Sequence, residues 1–167
     1  MKYILVIGAG RSSSVLIEYL LNYSLENDVF ITVLDQFKNK FLNQFSNSPN
    51  FKSLVFDIHD EKSRHLEIKK SDLIISMLPA RFHTLIAEDC LNFRKNLITA
   101  SYVSEEMKSF HKKALENDIL MLNEIGLDPG IDHVSAMSII DKLKSQNFKI
   151  TSFKSFCGGL IAPESCD

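Results

Sequence analysis

Residues 3–14 read Y-I-L-V-I-G-A-G-R-S-S-S, an apolar run that stops at two glycines and continues at once as a predicted helix. A dinucleotide-binding loop uses its first glycine for a tight turn, its second for close approach of the pyrophosphate, and its third for helix–strand packing. Gly8 and Gly10 match the first two positions, and Ser13 takes the third, where a small side chain suffices. The stretch therefore predicts a nucleotide-binding loop. The alternative is a plain strand–turn–helix connection that uses glycine for geometry alone.

Two further features favour the nucleotide. The backbone N–H groups at the start of the helix form an anion site, and they belong to Arg11, Ser12, Ser13 and Ser14. Asp35 follows a second apolar run about 20 residues beyond the loop, where an acidic side chain meets the adenosine ribose. A carboxylate there accepts hydrogen bonds from both ribose hydroxyls and repels a 2′-phosphate. The sequence predicts NAD as the cofactor, while Arg11 and Lys38 keep NADP open.

Composition excludes several classes of protein. The 167 residues include 24% charged residues and carry a formal charge of −2, which predicts no attraction to nucleic acid. The first apolar run is too short for a membrane span or a signal peptide, so we expect a cytoplasmic protein with no membrane partner. Three cysteines without paired spacing and histidines without ligand spacing predict neither a disulfide framework nor a metal site.

Strand-length apolar runs alternate with amphipathic segments along the chain. Strands are predicted at 3–7, 29–34, 52–56, 72–77, 96–100 and 119–122, and helices at 12–25, 37–45, 61–69, 81–92, 104–117 and 131–144. This alternation is typical of an α/β fold whose parallel sheet is covered on both faces. We predict a doubly wound Rossmann sheet of order 3-2-1-4-5-6. In the helix 12–25, we expect Val15, Leu16, Tyr19 and Leu20 to share the apolar side.

Residues 148–156 predict a seventh strand with no helix after it, and the chain stops at Asp167 in a polar stretch. We therefore expect two domains: a dinucleotide-binding domain at 1–147, and the first strand of a truncated substrate domain at 148–167.

Two other strand ends carry candidate cofactor contacts. Ligands bind at the carboxyl ends of the strands in open α/β sheets. Asp57 follows the third predicted strand, where we expect it to reach the adenine, and Met77, Leu78 and Pro79 follow the fourth, below the nicotinamide half.

Three motifs carry a family resemblance: S-Y-V-S at 101–104, G-L-D-P-G-I-D-H at 126–133, and C-G-G at 157–159. With the glycine loop before them, they resemble saccharopine dehydrogenase of the glutamate-forming type. The chain is similar, more loosely, to homospermidine and carboxynorspermidine synthases.

The resemblance implies a two-domain enzyme whose substrate is a small amino-acid derivative, with a homodimer formed through the domain that is missing here. Ser101 and Tyr102 would lie against saccharopine. Leu127, Asp128 and Pro129 would lie against the nicotinamide, Asp128 also touching the substrate, and Cys157 would line the same pocket.

The implied reaction is hydride transfer between a nicotinamide and the carbon of a secondary amine, which links saccharopine to glutamate and 2-aminoadipate 6-semialdehyde through an imine. The resemblance suggests Asp128, Tyr102 and Cys157 as catalytic residues: Asp128 holds the amine cation or takes its proton, Tyr102 donates to a carbinolamine oxygen, and Cys157 shapes or polarises the pocket. The alternative is a protein that is not an enzyme: a sensing module that binds NAD or NADH and regulates a partner without catalysing a reaction. A sensor has no need for these residues to converge on one cleft.

Overall fold

The computed structural model describes residues 1–156 and contains one sheet of six parallel strands. The strands are β1 (Lys2–Ile7), β2 (Val29–Asp35), β3 (Phe51–Val55), β4 (Leu73–Ser76), β5 (Asn96–Thr99) and β6 (Met121–Leu122). Their spatial order is β3-β2-β1-β4-β5-β6. This is the predicted order, so the doubly wound α/β fold is confirmed.

Within residues 1–156, seven α-helices connect or follow the strands. They are α1 (Ser14–Glu26), α2 (Lys40–Asn43), α3 (Glu61–Lys70), α4 (His83–Phe93), α5 (Glu105–Ser109), α6 (His111–Glu116) and α7 (Ile131–Ser145). Short 3₁₀ turns at Arg11–Ser13 and Ala80–Phe82 lead into α1 and α4. The predicted helix 104–117 is present as two pieces, α5 and α6, which meet at Phe110.

Both faces of the sheet are buried, because neighbouring residues of β1 belong to different cores. Leu5 and Ile7 pack in a cluster that includes Ile68 of α3 and Ile86 of α4. Val6 points to the opposite face and packs in a cluster with α1 and β2. This arrangement explains why the central strands lack a polar face.

A buried ion pair joins α3 to α4. The Nε atom of Arg64 lies 2.5 Å from Oδ2 of Asp89, and its Nη1 donates to the carbonyl of Ile58 at 2.6 Å. His65 contacts the other carboxylate oxygen of Asp89 at 2.8 Å. The cluster therefore fixes two helices and also the backbone after β3.

The buried face of α1 differs from the prediction. The helix buries Ile17, Leu20, Leu21 and Ser24, whereas Val15 and Tyr19 are exposed. The 3.6-residue period allows several neighbouring stripes, and contact with β1 and β2 selects the one that faces the sheet.

The structure after α7 also differs from the prediction. Residues 148–156 form no strand, so the predicted seventh strand is wrong for the residues described. A strand requires a neighbour to which its backbone can bond. The preceding helix α7 buries none of its side chains, although its sequence is amphipathic.

No helix among residues 1–156 is long and apolar enough to cross a membrane.

Candidate functional site

A cleft of about 930 Å³ opens at the carboxyl ends of β1 to β4. Its walls come from the glycine loop, the end of β2, the segment after β3 and the segment after β4. Pockets for small ligands and cofactors fall in this size range. The cleft therefore lies where the topology of a doubly wound sheet predicts a ligand.

Gly8 and Gly10 occupy different environments in the loop. Gly8 has φ +103°, and a Cβ atom there would lie 2.9 Å from the carbonyl oxygen of Met77. A Cβ atom at Gly10 would meet no protein atom within 4 Å. The first glycine is thus required by the fold itself, whereas the second leaves open space at the cleft.

The serines that follow the loop divide into two groups. Ser13 is fully buried, and its hydroxyl donates to the carbonyl of Gly10 at 2.8 Å, as a packing role requires. Arg11 and Ser14 line the cleft, and Ser12 is exposed but is not part of its lining. The start of α1 therefore faces the cleft through two of the four predicted residues.

Asp35 lies at the end of β2 and lines the cleft. Its Oδ2 accepts the backbone N–H of Ala9 at 2.6 Å, and its Oδ1 accepts that of Phe37 at 2.9 Å. The side-chain amide of Asn39 donates to the carbonyl of Ala9 at 2.6 Å. Hydrogen bonds thus fix both the backbone N–H and the backbone C=O of Ala9, which lies between the two glycines.

The other predicted cofactor contacts also line the cleft. Asp57 accepts the N–H of His59 at 2.9 Å, and Met77, Leu78 and Pro79 form the wall after β4. Four cationic side chains line the same cleft: Arg11, Lys38, Lys40 and Arg81. The cleft therefore offers positively charged side chains to an anionic ligand, and it places the Asp35 carboxylate at the end of β2.

A second group of predicted residues lies after β5. The Tyr102 hydroxyl donates to Oδ1 of Asp128 at 2.6 Å. The backbone of Gly126 packs closely on the residue that follows β5, since a Cβ atom there would lie 2.7 Å from the carbonyl oxygen of Ala100. Asp128 and Leu127 are exposed, whereas Pro129 is buried. The structure thus brings Tyr102 and Asp128 together, outside the lining of the cleft.

A buried histidine, which the sequence analysis did not single out, connects the two groups. Nδ1 of His83 lies 2.9 Å from the hydroxyl of Ser76, and Nε2 lies 2.8 Å from the hydroxyl of Ser101. Burial lowers the pKa of His83. Ser76 directly precedes Met77 of the cleft wall, and Ser101 directly precedes Tyr102. No local spacing reveals this contact, because the three residues come from different elements.

Two further predictions concern Cys157 and metals. Cys157 lies outside the described residues. Residues 1–156 contain no group of three or more histidine, cysteine, aspartate or glutamate side chains that could hold a metal ion.

The sheet order, the glycine loop, the helix start behind it and the acid at the end of β2 together define a dinucleotide-binding domain. The chain belongs to the saccharopine dehydrogenase family. Residues 4–122 match the family model described as the saccharopine dehydrogenase NADP binding domain, and residues 126–167 match the saccharopine dehydrogenase C-terminal domain.

Relatives and a solved structure agree with this assignment. An alpha-aminoadipic semialdehyde synthase, mitochondrial, from Bos taurus is 38% identical over 168 residues, covering 99% of this chain and 18% of that protein. A saccharopine dehydrogenase [NADP(+), L-glutamate-forming] from Pyricularia oryzae is 33% identical, covering 99% and 36%. The apo saccharopine dehydrogenase (L-Glu forming) of Saccharomyces cerevisiae superposes with a TM-score of 0.73 at 26% identity, covering 88% and 32%. The chain thus spans about a fifth to a third of these proteins.

Proposed function

We propose that this chain is the cofactor-binding part of an oxidoreductase that transfers a hydride between NAD(P) and the secondary amine of saccharopine. With water, the products are glutamate and 2-aminoadipate 6-semialdehyde. The observation that carries the proposal is the Tyr102–Asp128 hydrogen bond of 2.6 Å at the carboxyl edge of a dinucleotide-binding sheet. The names of the bovine and Pyricularia relatives support the choice of substrate.

The cleft fits a dinucleotide. Gly10 leaves open space beside the start of α1, where backbone N–H groups and the helix dipole favour a pyrophosphate. Asp35 lines the region expected to hold the adenosine ribose. When bound, the nicotinamide accepts the hydride from the amine carbon or returns it. We propose NAD as the preferred cofactor, because the Asp35 carboxylate repels a 2′-phosphate.

The residues after β5 then act on the amine. A hydride leaves the carbon only when the neighbouring nitrogen is neutral, so the ammonium form must first lose a proton. The Asp128 carboxylate holds that cation or takes its proton, and the Tyr102 hydroxyl donates to the oxygen that forms when water adds to the imine. Ser101 lies against saccharopine, Leu127 and Pro129 against the nicotinamide, and Cys157 completes the pocket in this proposal.

Substitution of the hydrogen-bonded pair tests the activity. In the full-length protein that carries this chain, we expect Asp128→Asn and Tyr102→Phe each to lower kcat/KM for saccharopine about a hundredfold, the size typical of a lost acid–base group. Affinity for NADH, measured by fluorescence titration, is expected to stay unchanged. The matched controls are Asp141→Asn on α7 and Tyr19→Phe on α1. Full activity in both Asp128→Asn and Tyr102→Phe would refute the proposal.

We also propose that the cofactor domain comprises residues 1–147 and that residues 148–167 open the substrate domain. The support is that α7 ends at Ser145, although the two family models divide the chain earlier, between residues 122 and 126. Expression of the segments 1–147 and 1–125 distinguishes the two boundaries. Equal thermal stability and NADH affinity of the shorter segment would place the boundary before α7.

A homodimer that forms through the substrate domain, and a cytoplasmic location, complete the proposal. Light scattering of the full-length protein tests the first: a monomer mass at micromolar concentration would contradict it. Fractionation of the source cells tests the second, and recovery in an organelle fraction, as the name of the mitochondrial bovine relative suggests, would contradict it.

A further inference from the structure

The hydroxyl of Ser76 is fully buried at the end of β4. Among the described residues, the partner of this hydroxyl is Nδ1 of His83 at 2.9 Å, and no buried side-chain nitrogen or oxygen lacks a hydrogen-bond partner. A buried hydroxyl that donates to nothing is unfavourable by about 1–3 kcal/mol. The hydrogen of Ser76 is therefore donated to Nδ1, which must carry no hydrogen of its own.

The state of the other ring nitrogen follows. Burial lowers the pKa of His83, so the ring is neutral and carries a single hydrogen. Because Nδ1 accepts from Ser76, that hydrogen lies on Nε2, 2.8 Å from the hydroxyl oxygen of Ser101. The Ser101 oxygen thus accepts from His83, and its own hydrogen is left to point away from the ring.

We propose that His83 is a positioning residue whose Nε2–H tautomer makes the Ser101 hydroxyl an outward hydrogen-bond donor to a carboxylate of the substrate. This step rests on the proposed function, because saccharopine carries carboxylates and the family resemblance places Ser101 against it. A carboxylate only accepts hydrogen bonds, whereas an ammonium group only donates them. The opposite tautomer would turn Ser101 into an acceptor and favour an ammonium group. The tautomer of a buried ring thereby determines which end of an amino acid fits beside Tyr102.

The tautomer itself is tested on the wild-type chain, without substitution and without substrate. Nitrogen-15 NMR of the histidine side chains distinguishes a ring nitrogen that bears hydrogen from one that does not. We expect His83 to show a bare Nδ1 and a protonated Nε2 at about pH 8, and to take up a second hydrogen only at a lower pH than His133 does, because burial lowers the pKa of His83 whereas Asp132 raises that of His133. His133, which is exposed, is the internal control. A hydrogen on Nδ1 of His83 at about pH 8, or titration together with His133, would overturn the inference.

The effect on the substrate is tested by kinetics of the full-length protein. Ser101→Ala and His83→Phe are each expected to raise KM for saccharopine about ten- to a hundredfold, as for a lost hydrogen bond to a charged group, with a smaller change in kcat. The double variant is expected to be no worse than Ser101→Ala alone, because His83 acts on the substrate only through the Ser101 hydroxyl. His83→Gln, whose amide N–H replaces Nε2–H, is expected to recover most of the loss.

The controls separate this inference from the proposed function. NADH affinity is expected to be unchanged in all variants, and His111→Gln, an exposed histidine on α6, is expected to match the wild type. An additive double variant, or a normal KM in folded His83→Phe, would refute the positioning role. Absence of any saccharopine turnover in the wild type would refute the proposed function and the substrate class, whereas the NMR result would still decide the tautomer.

Discussion

The two glycines of the first loop can be separated by experiment, because the same methyl group meets backbone at one position and open space at the other. Gly8→Ala places a Cβ atom 2.9 Å from the Met77 carbonyl oxygen at φ +103°. We expect it to destabilise the fold by about 1–3 kcal/mol, the size of a strained backbone position. Urea denaturation measures this change.

Gly10→Ala is the matched variant. Its φ of −68° suits any residue, and its Cβ meets no protein atom, so we expect an unchanged unfolding midpoint. Affinity for NADH is expected to fall at least tenfold, because the methyl group occupies the space for the pyrophosphate. If Gly10→Ala bound NADH normally, the dinucleotide would not lie across this loop.

The carboxylate of Asp35 gives a prediction of cofactor preference. Asp35→Ser removes the charge expected beside the ribose, so we expect the ratio of NADPH to NADH affinity to rise about tenfold or more. Isothermal titration of both cofactors measures the ratio. Asp57→Ser, which also removes a carboxylate from the cleft lining, is the control and is expected to leave the ratio unchanged. Tighter binding of NADPH than NADH by the wild type would contradict the role of Asp35.

At the residue scale, the glycine loop and Asp35 were predictable because each carries a local pattern with a known physical role, whereas the motifs after β5 were singled out by the family resemblance alone. The role of His83 was not predictable. Its contacts join residues 76, 83 and 101, and only the parallel pairing of β4 with β5 brings them together. A sequence shows which residues can donate or accept, but it does not show which of them share a buried space.

Among the elements, α7 offers a test of pH dependence at its first turn. Oδ1 of Asp132 accepts the N–H of Gly130 at 2.9 Å and contacts Nδ1 of His133 at 2.7 Å. The hydrogen bond and charge of Asp132 raise the pKa of His133 above 6.5. Burial opposes ionisation of Asp132, yet its hydrogen bonds with His133 and Gly130 lower its pKa below 3.8.

The sign of the effect follows from these two directions. The raised pKa of His133 stabilises the fold fully below about pH 6.5, and this contribution is lost as the pH rises through the folded value. The lowered pKa of Asp132 contributes above about pH 3.8 and is lost as the pH falls. We therefore expect His133→Gln to lower the urea midpoint most between about pH 4 and 6.5, and progressively less as the pH rises through the folded pKa of His133. His111→Gln is the control, and a pH-independent difference would contradict this account.

The elements also show where periodicity is insufficient. The strands and most helices were predicted within a few residues, because their apolar runs and caps are local. The buried face of α1 was misplaced, since Val15 and Tyr19 are exposed while Ile17 and Leu21 are buried. Packing against the sheet determines which side of α1 is buried, and this packing cannot be deduced from the sequence of the helix alone.

For the molecule as a whole, burial divides the helices into those that hold the sheet and one that does not. Helix α1 has 13 residues and buries four of them, whereas α7 has 15 residues and buries none. We expect the amides of α7 to exchange with deuterium much faster than those of α1, because local opening of α7 exposes little additional apolar surface. Hydrogen exchange followed by mass spectrometry compares the two. Equal protection would show that α7 packs against the rest of the chain.

The exposed side of α7 is expected to govern how this 167-residue chain, prepared alone, behaves at high concentration. Ile131, Val134 and Ile139 are largely exposed on this helix, and the net charge of −2 provides weak mutual repulsion between molecules. Ammonium sulfate, which strengthens the burial of apolar surface, is therefore expected to precipitate the wild type at lower concentration than a Val134→Lys, Ile139→Glu variant of equal net charge. That variant retains every residue of the cleft, so it is suited to the spectroscopy of the buried histidine.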